Sequence, residues 1–268
     1  MTGCARVTSH RADVVIRLSH PAPDLALVTI DRPAKRNALD QAGWRALGDV
    51  FRAMPRAVRV AVLTGAGGHF CAGDDIRDAA RVADDATARA AYDSAIATCF
   101  AALNHAPFTV VAAIEGVCVG GGLSLAMGCD FRVARGDAGF AIPAARLGLT
   151  YPIAQCGRLL ALVGMSGARR LLLGGQRLDA AEALRIGLVD DIAAEPIAAA
   201  FAMAEPMRAA APLTVAATKR ALDALATGMV AAEITAIEAL MTAAVASEDA
   251  REGPRAFAEK RPPRFTGR

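Results

Sequence analysis

Aromatic residues are scarce in this 268-residue chain: they make up 4%, with one tryptophan and two tyrosines, which argues against a platform on which nucleobases stack. The six cysteines (Cys4, Cys71, Cys99, Cys118, Cys129, Cys156) form no CxxC pair and no His/Cys ligand spacing, so no metal is expected. Three of them lie in apolar runs, where a cysteine behaves as a small hydrophobe, and reduced thiols in a cytoplasmic protein are the expectation. A dominant charge is missing as well. Thirty basic residues against 27 acidic ones leave +3, scattered except for Lys260, Arg261 and Arg264, which indicates no nucleic-acid partner. The opening MTGCARVTSHRADVV has no apolar stretch of the signal-peptide kind. Only residues 108–129 reach membrane length, and there Glu115 and three glycines argue against a span.

What is present is a 54% hydrophobic chain rich in Ala, Val and Leu, long enough for one large core and a helical tail. Residues 14–18 and 25–30 flank a turn-like HPAPD segment and predict an opening hairpin. Asp40 is placed to cap a helix whose Trp44, Leu47, Val50 and Phe51 share one face. Residues 58–63 form an apolar run that predicts a buried strand. A glycine-rich loop, TGAGGHFCAGDD, follows at residues 64–75, and an Ala-rich helical stretch, with a break, runs through 76–104. A second buried strand is predicted at 108–114. Short strands follow at 131–134 and 139–142, then a loop from Pro143 to Pro152. Helices are predicted at 159–163, 167–173, 179–186 (capped by Asp179, stopped at Gly187), 198–210, 212–227 and 229–247. Strands alternating with helices imply an α/β core.

The chemistry concentrates at IEGVCVGGGLSLAMGC, residues 114–129, where Gly120, Gly121 and Gly122 fall at a strand-to-helix turn. Three adjacent glycines cost backbone entropy in a regular element, so they point to a close approach of backbone to a ligand. A helix N-terminus with unpaired amides suits an anion or an oxygen about to become one. The other glycine loop, TGAGGHF, lacks the Gly-Lys-Ser/Thr ending of a P-loop, and Phe70 replaces the last glycine of GxGxxG. Gly122-Leu123-Ser124-Leu125-Ala126 is a loose nucleophile elbow. Every histidine (His10, His20, His69, His105) precedes Ser124, however, the reverse of the usual serine-hydrolase order.

Taken together, several stretches resemble the crotonase superfamily of enoyl-CoA hydratases and isomerases over nearly the whole chain. They are DRPAKRNAL from 31, VLTGAGGHFCAGDDI from 62, AAIEGVCVGGGLSLAMGCDFRVA from 112, GFAIPAARLGL from 139, LLLGGQRLDAAEALRIGLVDDI from 171 and FAEKRPPRF from 257. The resemblance implies an α/β spiral of ββα units over residues 1–195, a C-terminal helical module for trimer or hexamer assembly over 196–268, and a coenzyme A thioester as substrate or ligand with no bound cofactor. It puts the backbone amides of Asp74 and Gly121 around the thioester oxygen, where two fixed N–H donors act most strongly on a developing enolate. For the coenzyme A moiety it implies Lys35, Arg36, Ala72, Asp75, Ile76, Arg77, Phe257 and Lys260.

The chain departs from that pattern at two points. Hydratase-like members carry a glutamate two residues after the glycine triplet and another after the proline of the later loop; Ser124 and Ala144 stand there. Neither can act as general base or acid near neutral pH, so two-glutamate hydration is not expected. Tyr151 and Arg146 are the remaining polar side chains of that loop that could approach the acyl group. Glu115 reads as strand-end structure before it reads as catalytic, and Asp130 reads as structural. The expected function is acyl-CoA binding with polarisation of the thioester carbonyl, as a lyase or isomerase of fatty acid metabolism; the alternative is a non-catalytic acyl-CoA carrier.

Overall fold

The computed structural model describes residues 5–7 and 15–268. Cys4, His10 and Val14 lie outside the described residues. Strand β1 (Ala5–Val7) pairs antiparallel with β2 (Val15–Ala22), which forms the anticipated hairpin with β3 (Leu25–Asp31). The hairpin strands run further into the HPAPD segment than its composition suggests, leaving only Pro23 and Asp24 between them.

Helix α1 (Gln41–Arg52) starts at Asp40, whose carboxylate accepts from the Gly43 N–H at 2.7 Å, and it buries the predicted face of Trp44, Leu47, Val50 and Phe51. It is followed by β4 (Val60–Gly65), α2 (Ile76–Arg81), α3 (Ala86–Asn104) and β5 (Thr109–Ile114). Asp85 caps α3 by accepting from the Thr87 and Ala88 amides, which is where the Ala-rich stretch breaks.

Strand β6 (Val117–Val119) leads into α4 (Gly121–Gly128), β7 (Phe131–Ala134) and β8 (Gly139–Ala141). The run at 108–129 is thus cut into two strands and a helix. Among the described residues no single helix is long and apolar enough to cross a membrane.

The two helices predicted at 159–163 and 167–173 are the two parts of α5 (Ile153–Leu172), which is broken at Gly164, where φ 68° and ψ 174° are not helical; the first part starts earlier than predicted. Beyond it lie β9 (Arg177–Asp179), α6 (Ala180–Arg185), β10 (Asp191–Ile192), α7 (Pro196–Arg208), α8 (Pro212–Thr227), α9 (Val230–Ala246) and α10 (Glu248–Ala258). Asp179 caps α6 as expected, accepting from the Glu182 N–H at 2.8 Å.

The main sheet has the order β1-β2-β3-β4-β5-β7-β10 and is parallel from β3 onward; a smaller sheet has the order β6-β8-β9. Every residue of β4 and β5 is buried, because helices cover both faces, as a parallel sheet requires. Ala61, Leu63, Val110, Ala112 and Ile114 face the larger core with α1, α3 and α4. Val60, Val62, Val111, Ala113 and Val133 pack with Ala200 and Ala204 of α7 on the other side. The parallel pairing of β4 with β5 sends both glycine-rich loops off the same end of the sheet.

Candidate functional site

The first loop is held open by side chains and closed down by backbone. Asn37 donates to the carbonyls of Ala66 (2.8 Å) and His69 (2.6 Å) and accepts from the Arg32 N–H. Further on, Leu39 bonds Gly73 and Asp75 in strand fashion: its N–H donates to Gly73 O, and Asp75 N–H donates to Leu39 O, both at 2.8 Å. Because successive peptide groups of an extended chain point to opposite sides, the Asp74 N–H turns away from Leu39.

The second loop meets the first through glycine. Gly73 has φ +88°, a region glycine enters without strain, and a Cβ there would lie 2.8 Å from Gly121 N and 2.9 Å from Val119 O. Gly120, with φ 56°, turns the chain into α4 without any side-chain cap. A Cβ on Gly122 would collide with the Cys71 carbonyl. Among the described residues, neither the Asp74 N–H nor the Gly121 N–H donates to a backbone carbonyl. Two donors that no main-chain acceptor takes therefore come together at the N-terminus of a buried helix, an arrangement suited to an oxygen that gains negative charge.

A cavity of about 750 Å³ opens in front of them, lined by Asp74, Gly121, Ser124 and Tyr151 and walled by apolar Ile96, Phe100, Ile142, Ala144 and Leu147. The Asp74 carboxyl takes part in it. Its Oδ1 accepts from Trp44 Nε1 at 3.0 Å, while Oδ2 lies 3.2 Å from where a Gly121 Cβ would be. Burial raises the pKa of this carboxyl, an effect partly offset by bonds from Trp44, its own amide and Tyr92.

One turn along α4 from Gly121, Ser124 is buried and hydrogen-bonded to the Tyr151 hydroxyl, which also donates to Gly120 O at 3.3 Å. Burial pushes the Tyr151 pKa up, so it stays a neutral phenol. The Ser124–His69 pairing of a serine hydrolase is not made: His69 Nδ1 accepts from the Val117 N–H at 3.3 Å instead.

Of the residues singled out from the sequence, the cavity gathers Ala72, Asp74, Ile76, Gly121, Ser124, Ala144 and Tyr151. The others lie elsewhere. Lys35 pairs with Asp75 at 3.5 Å, and Asp75 also binds Arg32 at 2.8 Å; these cations hold its carboxyl below the usual range. Arg36 and Arg77 are exposed beside that cluster, and Phe257 and Lys260 are exposed at the end of α10. Arg146 does not approach the acyl site as expected; it packs on Gly175 and reaches toward Gly174 O, because the short helical turn at residues 144–146 rotates it outward. Glu115 is taken up by Arg135 at 2.7 Å, and Asp130 by Lys219 at 2.8 Å and the Val110 N–H, so both are structural.

Sequence reading missed three contributors: Trp44, which donates to the Asp74 carboxyl; Tyr92, whose hydroxyl donates to Leu39 O beside it; and the Arg158–Asp223 ion pair on the cavity wall. A buried indole N–H needs an acceptor, which was the one available signal for the first.

Comparison with known proteins is consistent over most of the chain. A family model for enoyl-CoA hydratase/isomerase matches residues 22–268. The probable enoyl-CoA hydratase echA6 of Mycobacterium tuberculosis is 37% identical over 245 residues, 90% of this chain and 96% of that protein. A carnitinyl-CoA dehydratase of Proteus mirabilis is 36% identical over 251 residues, covering 90% and 94%. The crystal structure of an enoyl-CoA hydratase/carnithine racemase from Magnetospirillum magneticum superposes with a TM-score of 0.83 at 30% identity, covering 98% of this chain and 97% of that one.

Proposed function

The chain belongs to the enoyl-CoA hydratase/isomerase family, and from that premise we propose that it binds acyl-CoA thioesters and polarises the thioester carbonyl between the amides of Asp74 and Gly121. The observation that carries this reading is the pair of N–H groups, neither taken by a main-chain acceptor, brought together where Gly73 abuts Gly121 on the lining of a cavity of about 750 Å³. Two such donors stabilise an enolate oxygen by a few kcal/mol each, on the order of 3.

The reaction we propose is not two-glutamate hydration. Ser124 and Ala144 occupy the positions at which hydratase-like members carry their carboxylates, and the Ser124 hydroxyl is engaged with Tyr151. That engagement also supports the second reading, a non-catalytic acyl-CoA carrier, since the two polar groups satisfy one another.

Calorimetric titration with hexanoyl-CoA tests binding; Gly121→Leu, whose side chain would press on Trp44 and the Asp74 carboxyl, is expected to abolish it. Unchanged binding by that variant sinks the proposed site. Turnover of enoyl-, malonyl- or branched acyl-CoA by the wild type decides between enzyme and carrier.

The coenzyme A moiety is assigned to Lys35, Arg36, Ala72, Asp75, Ile76 and Arg77, with Phe257 and Lys260 from the C-terminal segment. The described residues up to 195 are proposed as the spiral core. Residues 196–268 are the assembly module of a cytoplasmic trimer or hexamer, a reading supported by the exposed Leu222 and Leu225 of α8 and Ile234, Met241 and Val245 of α9. Light scattering giving a monomer mass would refute that assembly.

A further inference from the structure

Four carboxylates line the cavity: Asp74, Asp93, Asp223 and Glu233. Three of them are committed to arginines, Asp93 to Arg89, Asp223 to Arg158 and Glu233 to Arg220. Asp74 is held differently. One oxygen is fixed by a neutral indole N–H, while the other lies in the gap in front of Gly121, whose amide no main-chain acceptor takes. A carbonyl oxygen seated on the Asp74 and Gly121 amides puts the adjoining carbon within reach of that carboxyl.

We propose that the Asp74 carboxylate is the group that removes and returns the α-proton of the bound acyl-CoA thioester. The inference rests on the acyl-CoA reading above. The carboxylate oxygen takes the α-proton; the C–H electron pair becomes the carbon–carbon double bond of the enolate; the carbonyl π pair moves onto oxygen, where the Asp74 and Gly121 N–H groups hold it. Asp74 is then a neutral acid, and it gives the proton back to the α-carbon or, with an unsaturated chain, to the γ-carbon. One negative charge is present throughout and is only relocated, so enolate and carboxylate never repel one another as two anions would.

The surroundings suit that task. Trp44 of α1, Arg89 and Tyr92 of α3, Cys71 of the same loop and Tyr151, bonded to Gly120 and Ser124, are the polar or titratable groups that face Asp74 or act on it electrostatically. Only Arg89 is a cation, and it is shared with Asp93. With so little positive charge, burial prevails and makes Asp74 a stronger base than an exposed aspartate. Its attachment to Trp44 fixes its rotamer without neutralising it.

The test follows deuterium incorporation at the α-carbon of hexanoyl-CoA in D2O by mass spectrometry, with binding measured separately by calorimetry. The wild type is expected to exchange well above the protein-free rate. Asp74→Asn keeps the main-chain donor and the shape; it should slow exchange about 100-fold or more, with Kd changed less than about threefold. Asp74→Glu should recover part of the loss. The wild-type rate should also rise with pH as the carboxyl ionises, with its midpoint above the ordinary aspartate range, a profile that Asp74→Asn lacks. Tight binding without exchange by the wild type, or full exchange by Asp74→Asn, overturns this inference and leaves the acyl-CoA reading standing. Absence of binding overturns both.

Discussion

Three glycines separate backbone strain from collision, and so test whether the contact between the two loops is as close as described. Gly136 has no positive φ and nothing within 4 Å of an added Cβ; Gly148 has φ +68° but open space; Gly73 has φ +88° and a Cβ that would meet Gly121 N at 2.8 Å and Val119 O at 2.9 Å. Alanine at 136 should change stability by less than about 0.5 kcal/mol, or raise it slightly through the unfolded chain. At 148 the left-handed backbone costs about 1–2 kcal/mol. At 73 that strain is joined by an overpacking cost of about 1–3 kcal/mol, since both contacted atoms are main chain and cannot rotate away. The sum, roughly 2–5 kcal/mol, is read as the difference in unfolding free energy in urea, fitted with a common slope across the series. The order 136, 148, 73 is the prediction. If Gly73→Ala is no less stable than Gly148→Ala, the two loops do not touch, and the pairing of amides that the site depends on is wrong.

The remaining expectations concern groups whose burial sets their behaviour. The only two tyrosines, Tyr92 and Tyr151, both have pKa values raised by burial. Their neutral forms favour folding at full strength below the unfolded value near 10, and that contribution is lost as pH climbs beyond it; phenolate absorbance should therefore appear only together with alkaline unfolding. Gradual ionisation of a folded protein near pH 10 would contradict this. Among the described cysteines, Cys156 is half-exposed, while Cys71, Cys99, Cys118 and Cys129 are buried, with the Cys71 thiol pushed up to about 12. Iodoacetamide on the native protein should label Cys156 first and the other four only after denaturation, as peptide mass spectrometry would show. Asp223→Ala strands the buried Arg158 cation and should cost about 3–5 kcal/mol of stability, whereas the double variant with Arg158→Met should cost clearly less. Equal losses in the two would mean that the pair is not buried together.

Much of this architecture was legible because it rests on periodicity. Trp44, Leu47, Val50 and Phe51 declare a helix face by spacing alone, and β4 and β5 are apolar throughout because both their faces are covered. Strands of two or three residues, such as β6, β9 and β10, carry too few residues for any period to show. Within α5 the break between the two expected helices falls at Gly164, whose backbone is not helical, but the first of them begins at Ile153, ahead of where its periodicity shows. Helix α10 begins in acidic residues, contains Pro254, and follows Ser247, which closes one helix and caps the next. At the site, the glycine loops and Ser124 were visible, but the direction of the Asp74 carboxyl was not. It depends on Leu39, distant in sequence, pairing beside it and turning one side chain inward.

The donors at 74 and 121 are main-chain N–H groups, and every amino acid except proline supplies one. A side chain at 121 would crowd Trp44 and the Asp74 carboxyl, but the side chains at 74, 124, 144 and 151 can be exchanged without deleting either donor. Under the proposed role, the proton-handling side chains of this cavity could be replaced one at a time while the main-chain donors persist. A scaffold of that kind would pass between reactions without an intermediate that has lost its hold on the carbonyl.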